Sequence, residues 1–178
     1  MNKRLTIIVI SLTVFTCVIA TGALFYANGY RWNVSHSYPT GLYRMTYDHL
    51  DYHRGDLVLF CPPDNKAMRM ALHRDYIKMG LCRGGFTPAI KKIIAMEGDT
   101  VSFDNGMVHI NGQAVTKASV LPADSQGRPL PKLDTLTLQH NEYFMMSDHR
   151  PTDSFDSRYY GAVPFHHIHG HIEPVWVW

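Results

Sequence analysis

Cysteine is scarce in this chain. Three occur in 178 residues, none in a CxxC or other metal-ligand spacing. That excludes a disulfide-dense scaffold and offers no zinc-finger spacing. Charge of one sign is missing as well. Lys and Arg number 17 against 15 Asp and Glu, a formal net charge of +2 with no long basic run. Such a balance gives no footprint for nucleic acid, and none is expected as a partner. A disorder-promoting composition is also absent: 46% of residues are hydrophobic and 12% aromatic, as in a folded protein. The length fits one domain, or one modest domain plus a membrane segment. Histidine is the abundant titratable residue, at 11, so positive charge grows under mild acid.

One long hydrophobic run is present. Lys3 and Arg4 precede an uncharged stretch from Leu5 to Ala27, 23 residues long. About 20 apolar residues cross a bilayer core, whereas a cleaved signal has an apolar region of only about 7–15. The expectation is an uncleaved single-pass anchor over 5–27 with a cytoplasmic tip at 1–4. The alternative is a cleaved signal ending near Ala20 or Ala23. A linker at 28–34 and a domain at 35–178 then lie in the periplasm, held to the inner membrane. Tyr26, Tyr30 and Trp32 fit an aromatic belt at the outer interface.

After the run comes Asn33-Val34-Ser35-His36-Ser37-Tyr38-Pro39-Thr40-Gly41-Leu42-Tyr43. Pro39 fixes its own φ and pushes Tyr38 toward an extended backbone, and Gly41 permits angles that other residues resist. The stretch reads either as a polar linker or as a rigid bend that aims the Ser37 hydroxyl. Arg54-Gly55-Asp56 is a turn, and Leu57–Phe60 a short strand ending at Cys61. Residues 62–88 read as an insertion with a short helix from Lys66 to Leu72. Ala89 to Val115 is the clearest β pattern, with turn signals at Glu97-Gly98-Asp99, Asp104-Asn105-Gly106 and Asn111-Gly112. Lys91 and Lys92 are adjacent in its first strand and must point to opposite faces, one of them to solvent, with Ile93 and Ala95 on the face of Lys91. Lys117–Asp134 reads as a surface loop, and Leu136–Leu138 and Tyr143–Met146 as strands. A dense polar loop runs from Ser147 to Gly161, and loops held by strands commonly carry function. In the tail, His167, His169 and His171 share a face if extended, but no fourth ligand stands near them in sequence. A solvated face is the reading adopted, with no metal and no other cofactor. Cys17 lies in the apolar run, so Cys61 and Cys82, which flank the insertion, are the disulfide candidates. Two buried thiols are the alternative.

The motifs SxSxPxGLY, RGDLVLFCPP, IKKIIAMEGDTV, RPLP and SFDSRYYG occur in that order over nearly the whole chain. The ordered set resembles the type I signal peptidase superfamily of Ser/Lys endopeptidases, and most closely its conjugative-transfer, TraF-type branch. The resemblance implies a mostly β fold: a signal-peptidase-like barrel of coiled antiparallel sheets with one N-terminal transmembrane helix. It implies Ser37 as nucleophile, Lys91 as general base and Asp156 as a required residue. Ser35 is implied in the oxyanion hole, with Ser154 and Arg158 in support. Partners implied are a pilin precursor cleaved after small residues, the lipid bilayer, and conjugative transfer (type IV secretion) components. Cyclisation of the pilin by its own amine and hydrolysis are the two implied fates of the acyl-enzyme. The chain departs from ordinary signal peptidases in having only Tyr38 between Ser37 and Pro39, and in Lys92 where arginine is commoner. A general signal peptidase and a non-catalytic scaffold of a secretion apparatus are the competing readings.

The chemistry suits these residue types. A serine hydroxyl needs a base to take its proton. Lysine serves only when neutral, and at its ordinary pKa roughly one amine in 2,500 is neutral at pH 7. Burial lowers that pKa by up to ~3–5. His36 and His149 are the alternative bases nearest in sequence to the proposed site residues.

Overall fold

A computed structural model describes residues 3–47 and 51–178. Helix α1 spans Lys3–Ala27 and buries no residue against the rest of the protein. It is long and apolar enough to cross a membrane. Strand β1 (Tyr30–Asn33) follows almost at once, within the stretch expected to be a linker. It forms because its backbone pairs antiparallel with β2 (Gly41–Thr46), Trp32 opposite Leu42 and Asn33 opposite Gly41.

Next come β3 (Leu57–Phe60), α2 (Lys66–His73) and β4 (Ala89–Ala95). The meander β5 (Thr100–Asp104), β6 (Met107–Ile110) and β7 (Gln113–Ser119) follows. Strands β8 (Leu136–Thr137) and β9 (Glu142–Met146), helix α3 (Ser157–Tyr160), and strands β10 (Val163–Pro164) and β11 (Ile168–Val177) complete the order. The fold is therefore mostly β, in two coiled antiparallel sheets with one N-terminal apolar helix. The larger sheet runs β1-β2-β11-β3-β4-β9-β10 and the smaller β7-β6-β5-β8.

Asn105-Gly106 and Asn111-Gly112 adopt positive φ at the two hairpin tips, as tight primed turns require. Strand β7 continues through Ser119, past the expected start of the surface loop. Strand β3 is entirely apolar because both its faces are covered. Val58 and Phe60 pack with Ile93, Tyr143 and Met145, while Leu59 packs with Tyr43, Ile90 and Ile172. A third cluster, around Val101, Val108, Leu138 and Phe144, lies against the smaller sheet. A register shift between Ile93 and Ala95 interrupts the β4–β9 ladder, while burial still alternates along β4, with Lys91, Ile93 and Ala95 buried and Lys92 and Ile94 half-buried. Ile93 packs in the first cluster and Ala95 in the third.

The Cys61 and Cys82 sulfurs are bonded, with Cα atoms 5.5 Å apart, and tie the insertion to the end of β3. Asn65 caps α2 by accepting from the Met68 N–H. Its amide donates to the Tyr160 carbonyl at 2.9 Å, which links the insertion to α3. At the far end of the larger sheet, Trp32, Trp176 and Trp178 are all exposed, with neighbouring ring centroids 5.6 and 5.5 Å apart.

Candidate active site

The bend that carries Ser37 is built on one buried amide. Asn33 closes β1, and its Nδ2 fans over the carbonyls of Ser35, Tyr38 and Pro39 at 3.0, 3.2 and 3.0 Å. Its Oδ1 accepts from the Ser35 N–H at 3.0 Å. The Tyr43 hydroxyl donates to the Pro39 carbonyl at 2.7 Å. Gly41 sits at φ +143°, where an added Cβ would fall 2.2 Å from the Trp176 carbonyl oxygen. Only glycine allows β2 and β11 to pass there.

Three contacts fix Ser37 itself. Its N–H donates to Ser35 Oγ at 3.2 Å. Its carbonyl accepts from the Ser147 hydroxyl at 2.6 Å. Its Oγ lies 3.4 Å from Ser154 Oγ. On the other side of Ser154, Lys91 Nζ donates to that hydroxyl at 2.7 Å. The three side chains thus form one line, Ser37–Ser154–Lys91. Lys91 is 2% exposed. Burial pulls its pKa down to about 8; the Asp156 charge opposes that fall and the Arg158 charge assists it.

The polar loop is held by a fully buried ion pair. Asp156 caps α3 and accepts from Arg158 Nε and Nη2, both at 2.8 Å. Arg158 also donates to the carbonyls of Ser119 at 2.6 Å, Ser154 at 3.1 Å, and Pro151. One guanidinium therefore sets the backbone that carries Ser154 and ties it to the end of β7. The Ser147 N–H completes the shell of Asp156 at 3.4 Å.

Residues 2–178 match the family described as signal peptidase, peptidase S26. The chain belongs to this family. It is 35% identical to the plasmid transfer protein TraF of Escherichia coli over 99% of this chain and 97% of that protein. It is 28% identical to a probable signal peptidase I of Synechocystis over 72% of this chain and 59% of that protein. A signal peptidase I of known structure from Enterococcus faecalis, 24% identical, overlaps 68% of this chain and 96% of its own with a TM-score of 0.40.

This S26 chain brings together Ser37, Ser35, Lys91, Ser154, Asp156 and Arg158. Sequence reasoning missed four further residues: Asn33, Tyr38, Ser147 and Asp148. Tyr38 is buried, and its hydroxyl donates to Asp148 Oδ1 at 2.6 Å. Lys92, left to the solvent side once the resemblance assigns Lys91 as base, is not a free charge. It leaves the opposite face of β4, stays partly covered and pairs with the same Asp148 carboxylate. An open groove of about 440 Å³ begins there, lined by Tyr38, Tyr43, Leu57, Lys92, Asp148 and His149. The available signals were a polar residue closing a strand (Asn33) and a Ser-Asp pair directly after one (Ser147-Asp148).

The histidines do not join the Ser37 line. His149 stacks on the Tyr38 ring, centroids 6.2 Å apart. No histidine hydrogen-bonds Ser37 Oγ among the described residues. The tail histidines also diverge. His167 Nδ1 lies 2.9 Å from the Cys61 carbonyl oxygen and His171 Nε2 lies 2.9 Å from Asp56 Oδ2. His169 Nε2 stands 3.2 Å from Cys61 Sγ.

Proposed function

We propose that this chain is a membrane-anchored serine endopeptidase that works through Ser37 and Lys91. The observation that carries the reading is the buried Lys91 amine, connected through the Ser154 hydroxyl to Ser37. With a pKa of about 8, roughly one amine in ten is neutral at pH 7. In the neutral form Nζ accepts from Ser154, and Ser154 Oγ accepts the Ser37 proton. Ser37 Oγ then adds to the scissile carbonyl. The Ser37 N–H and the Ser35 hydroxyl, 3.2 Å apart, are near enough to converge on the developing oxyanion. Collapse returns a proton from Lys91 to the departing amine and leaves an acyl-enzyme on Ser37. Asp156 and Arg158 keep Ser154 in place and do no proton transfer.

The substrate in this reading is a conjugative pilin precursor, cleaved after small residues, with transfer components as neighbours. The likeness to the E. coli plasmid transfer protein supports it. Helix α1 is the inner-membrane anchor, and Lys3 and Arg4 at its N-terminal end favour a periplasmic domain. The acyl-enzyme is resolved by water or by the pilin's own N-terminal amine. A Ser37→Ala strain with normal protein levels tests the whole reading by mass spectrometry of the pilin. Unprocessed precursor is expected, and normal processing would reject the nucleophile. In the parent strain, a product one water lighter than the linear fragment identifies cyclisation. General signal peptides accumulating uncleaved in the variant would instead favour a housekeeping signal peptidase.

A further inference from the structure

Outside the Ser37 line, one cluster has no part in the chemistry above. Cys61 Sγ, Cys82 Sγ and His169 Nε2 all lie within 4.8 Å of one another. Their placement is fixed by backbone. The Cys61 N–H donates to the His167 carbonyl at 2.9 Å, and the His167 ring returns to the Cys61 carbonyl at 2.9 Å. Ile168 pairs with Phe60 across β11 and β3. The result is that His169 leaves β11 directly over the cysteine at the end of β3. His169 is exposed, Cys61 half-buried and Cys82 buried, so one side of the cluster is open to solvent.

We propose that this cluster is a redox-gated site for a thiophilic divalent cation, of which zinc is the type. In the oxidised chain the two sulfurs bond each other and cannot ligate. A dithiol reductant delivers two electrons and two protons, so the S–S bond breaks, two thiols form and the dithiol closes to its own disulfide. The cation then displaces both thiol protons to solvent and takes two thiolates and one imidazole. Two sulfurs and one nitrogen suit zinc, with water in the fourth, open position. The cross-link and the metal are alternative clasps for the same insertion. Because α2 in that insertion is joined to α3 through Asn65 and Tyr160, either clasp supports the loop that holds Asp156. The inference does not depend on the catalytic reading.

The test uses the full chain in detergent micelles, reduced with a phosphine that is then removed under argon. Zinc alone is titrated against a chromophoric chelator. One tightly held ion per reduced chain is expected, and none on the oxidised chain. Cobalt in place of zinc should show the thiolate charge-transfer and tetrahedral ligand-field bands. His169→Ala keeps both cysteines and should weaken the reduced chain's affinity by at least tenfold, while exposed His166→Ala leaves it unchanged. The proposal fails if the reduced chain takes no zinc, if the oxidised chain takes one equivalent as tightly, or if His169→Ala binds like the parent.

Discussion

Burying an amine that must still bind a proton at neutral pH costs stability. The Lys91 pKa is about 8 in the folded chain against an ordinary 10.5. Protonation therefore favours the unfolded chain. The penalty is complete below pH 8 and disappears as pH rises through 10.5. At ~1.4 kcal/mol per pH unit that interval is worth about 3 kcal/mol. Lys91→Met removes the penalty and loses one hydrogen bond of about 1 kcal/mol. Thermal unfolding at pH 7 should show the variant more stable by on the order of 2 kcal/mol, with cleavage of the proposed precursor abolished. A variant that is both inactive and less stable would mean that burial does not depress the Lys91 pKa. In the parent, the cleavage rate should rise about tenfold per pH unit below 8 and level off above it. Lys91→Arg should be as inactive as Lys91→Met, since guanidinium keeps its proton. Arg158 poses the opposite case. Arg158→Ala strands Asp156 as an unpaired buried charge and should destabilise by about 3–5 kcal/mol, read from the unfolding midpoint.

At the scale of elements, the insertion between β3 and β4 is held by its cross-link and by its contact with α3. The bond between Cys61 and Cys82, 21 apart in sequence, closes a loop worth about 3 kcal/mol in the chain-entropy model. A Cys61→Ser/Cys82→Ser double variant should lose about that much in metal-free buffer, and unchanged unfolding would show that the closure contributes nothing. Much of this level was legible in the sequence. The hairpin tips at Asn105-Gly106 and Asn111-Gly112, the strand ending at Cys61 and the helix from Lys66 all carry local signals. Ser37, Lys91 and Ser154 were singled out only through ordered motifs, because they come from a bend, a strand and a loop far apart in sequence, and the position of Ser154 between the other two carried no sequence signal. What stayed hidden was tertiary. Strand β1 has no strong local signature and exists through pairing with β2. The register shift between Ile93 and Ala95 belongs to the β4–β9 pairing. Asn33 becomes informative only once three carbonyls gather around it.

The whole molecule places all three of its tryptophans on one surface, beside the end of the apolar helix. The junction is tight. The Arg31 guanidinium lies 3.7 Å from the Tyr26 ring centroid and donates to the Tyr26 carbonyl at 2.8 Å. From that junction β1 leads to Trp32, and the final strand returns beside β2 to bring Trp176 and Trp178 to it. Val34 and Val175 are exposed on the same end of the chain path. Aromatic side chains favour the bilayer interface, where an apolar ring and a polar N–H are both accommodated. With α1 as the anchor, this end of the sheet should rest in the headgroup region and hold Ser37 close to the membrane surface. Intrinsic tryptophan emission then reports on this surface alone. In proteoliposomes it should be blue-shifted, quenched by lipids brominated near the headgroup and poorly quenched by acrylamide. The Trp176→Ser/Trp178→Ser variant keeps Trp32 as its single reporter. It should retain the lipid quenching of a residue next to the anchor while cleavage of a membrane-bound precursor slows. Water-like emission from the parent, open to acrylamide and blind to bromine, would show a domain that stands clear of the bilayer. A precursor would then have to reach Ser37 by leaving the membrane surface, which a water-soluble peptide spanning the cleavage site would do as readily as the full precursor.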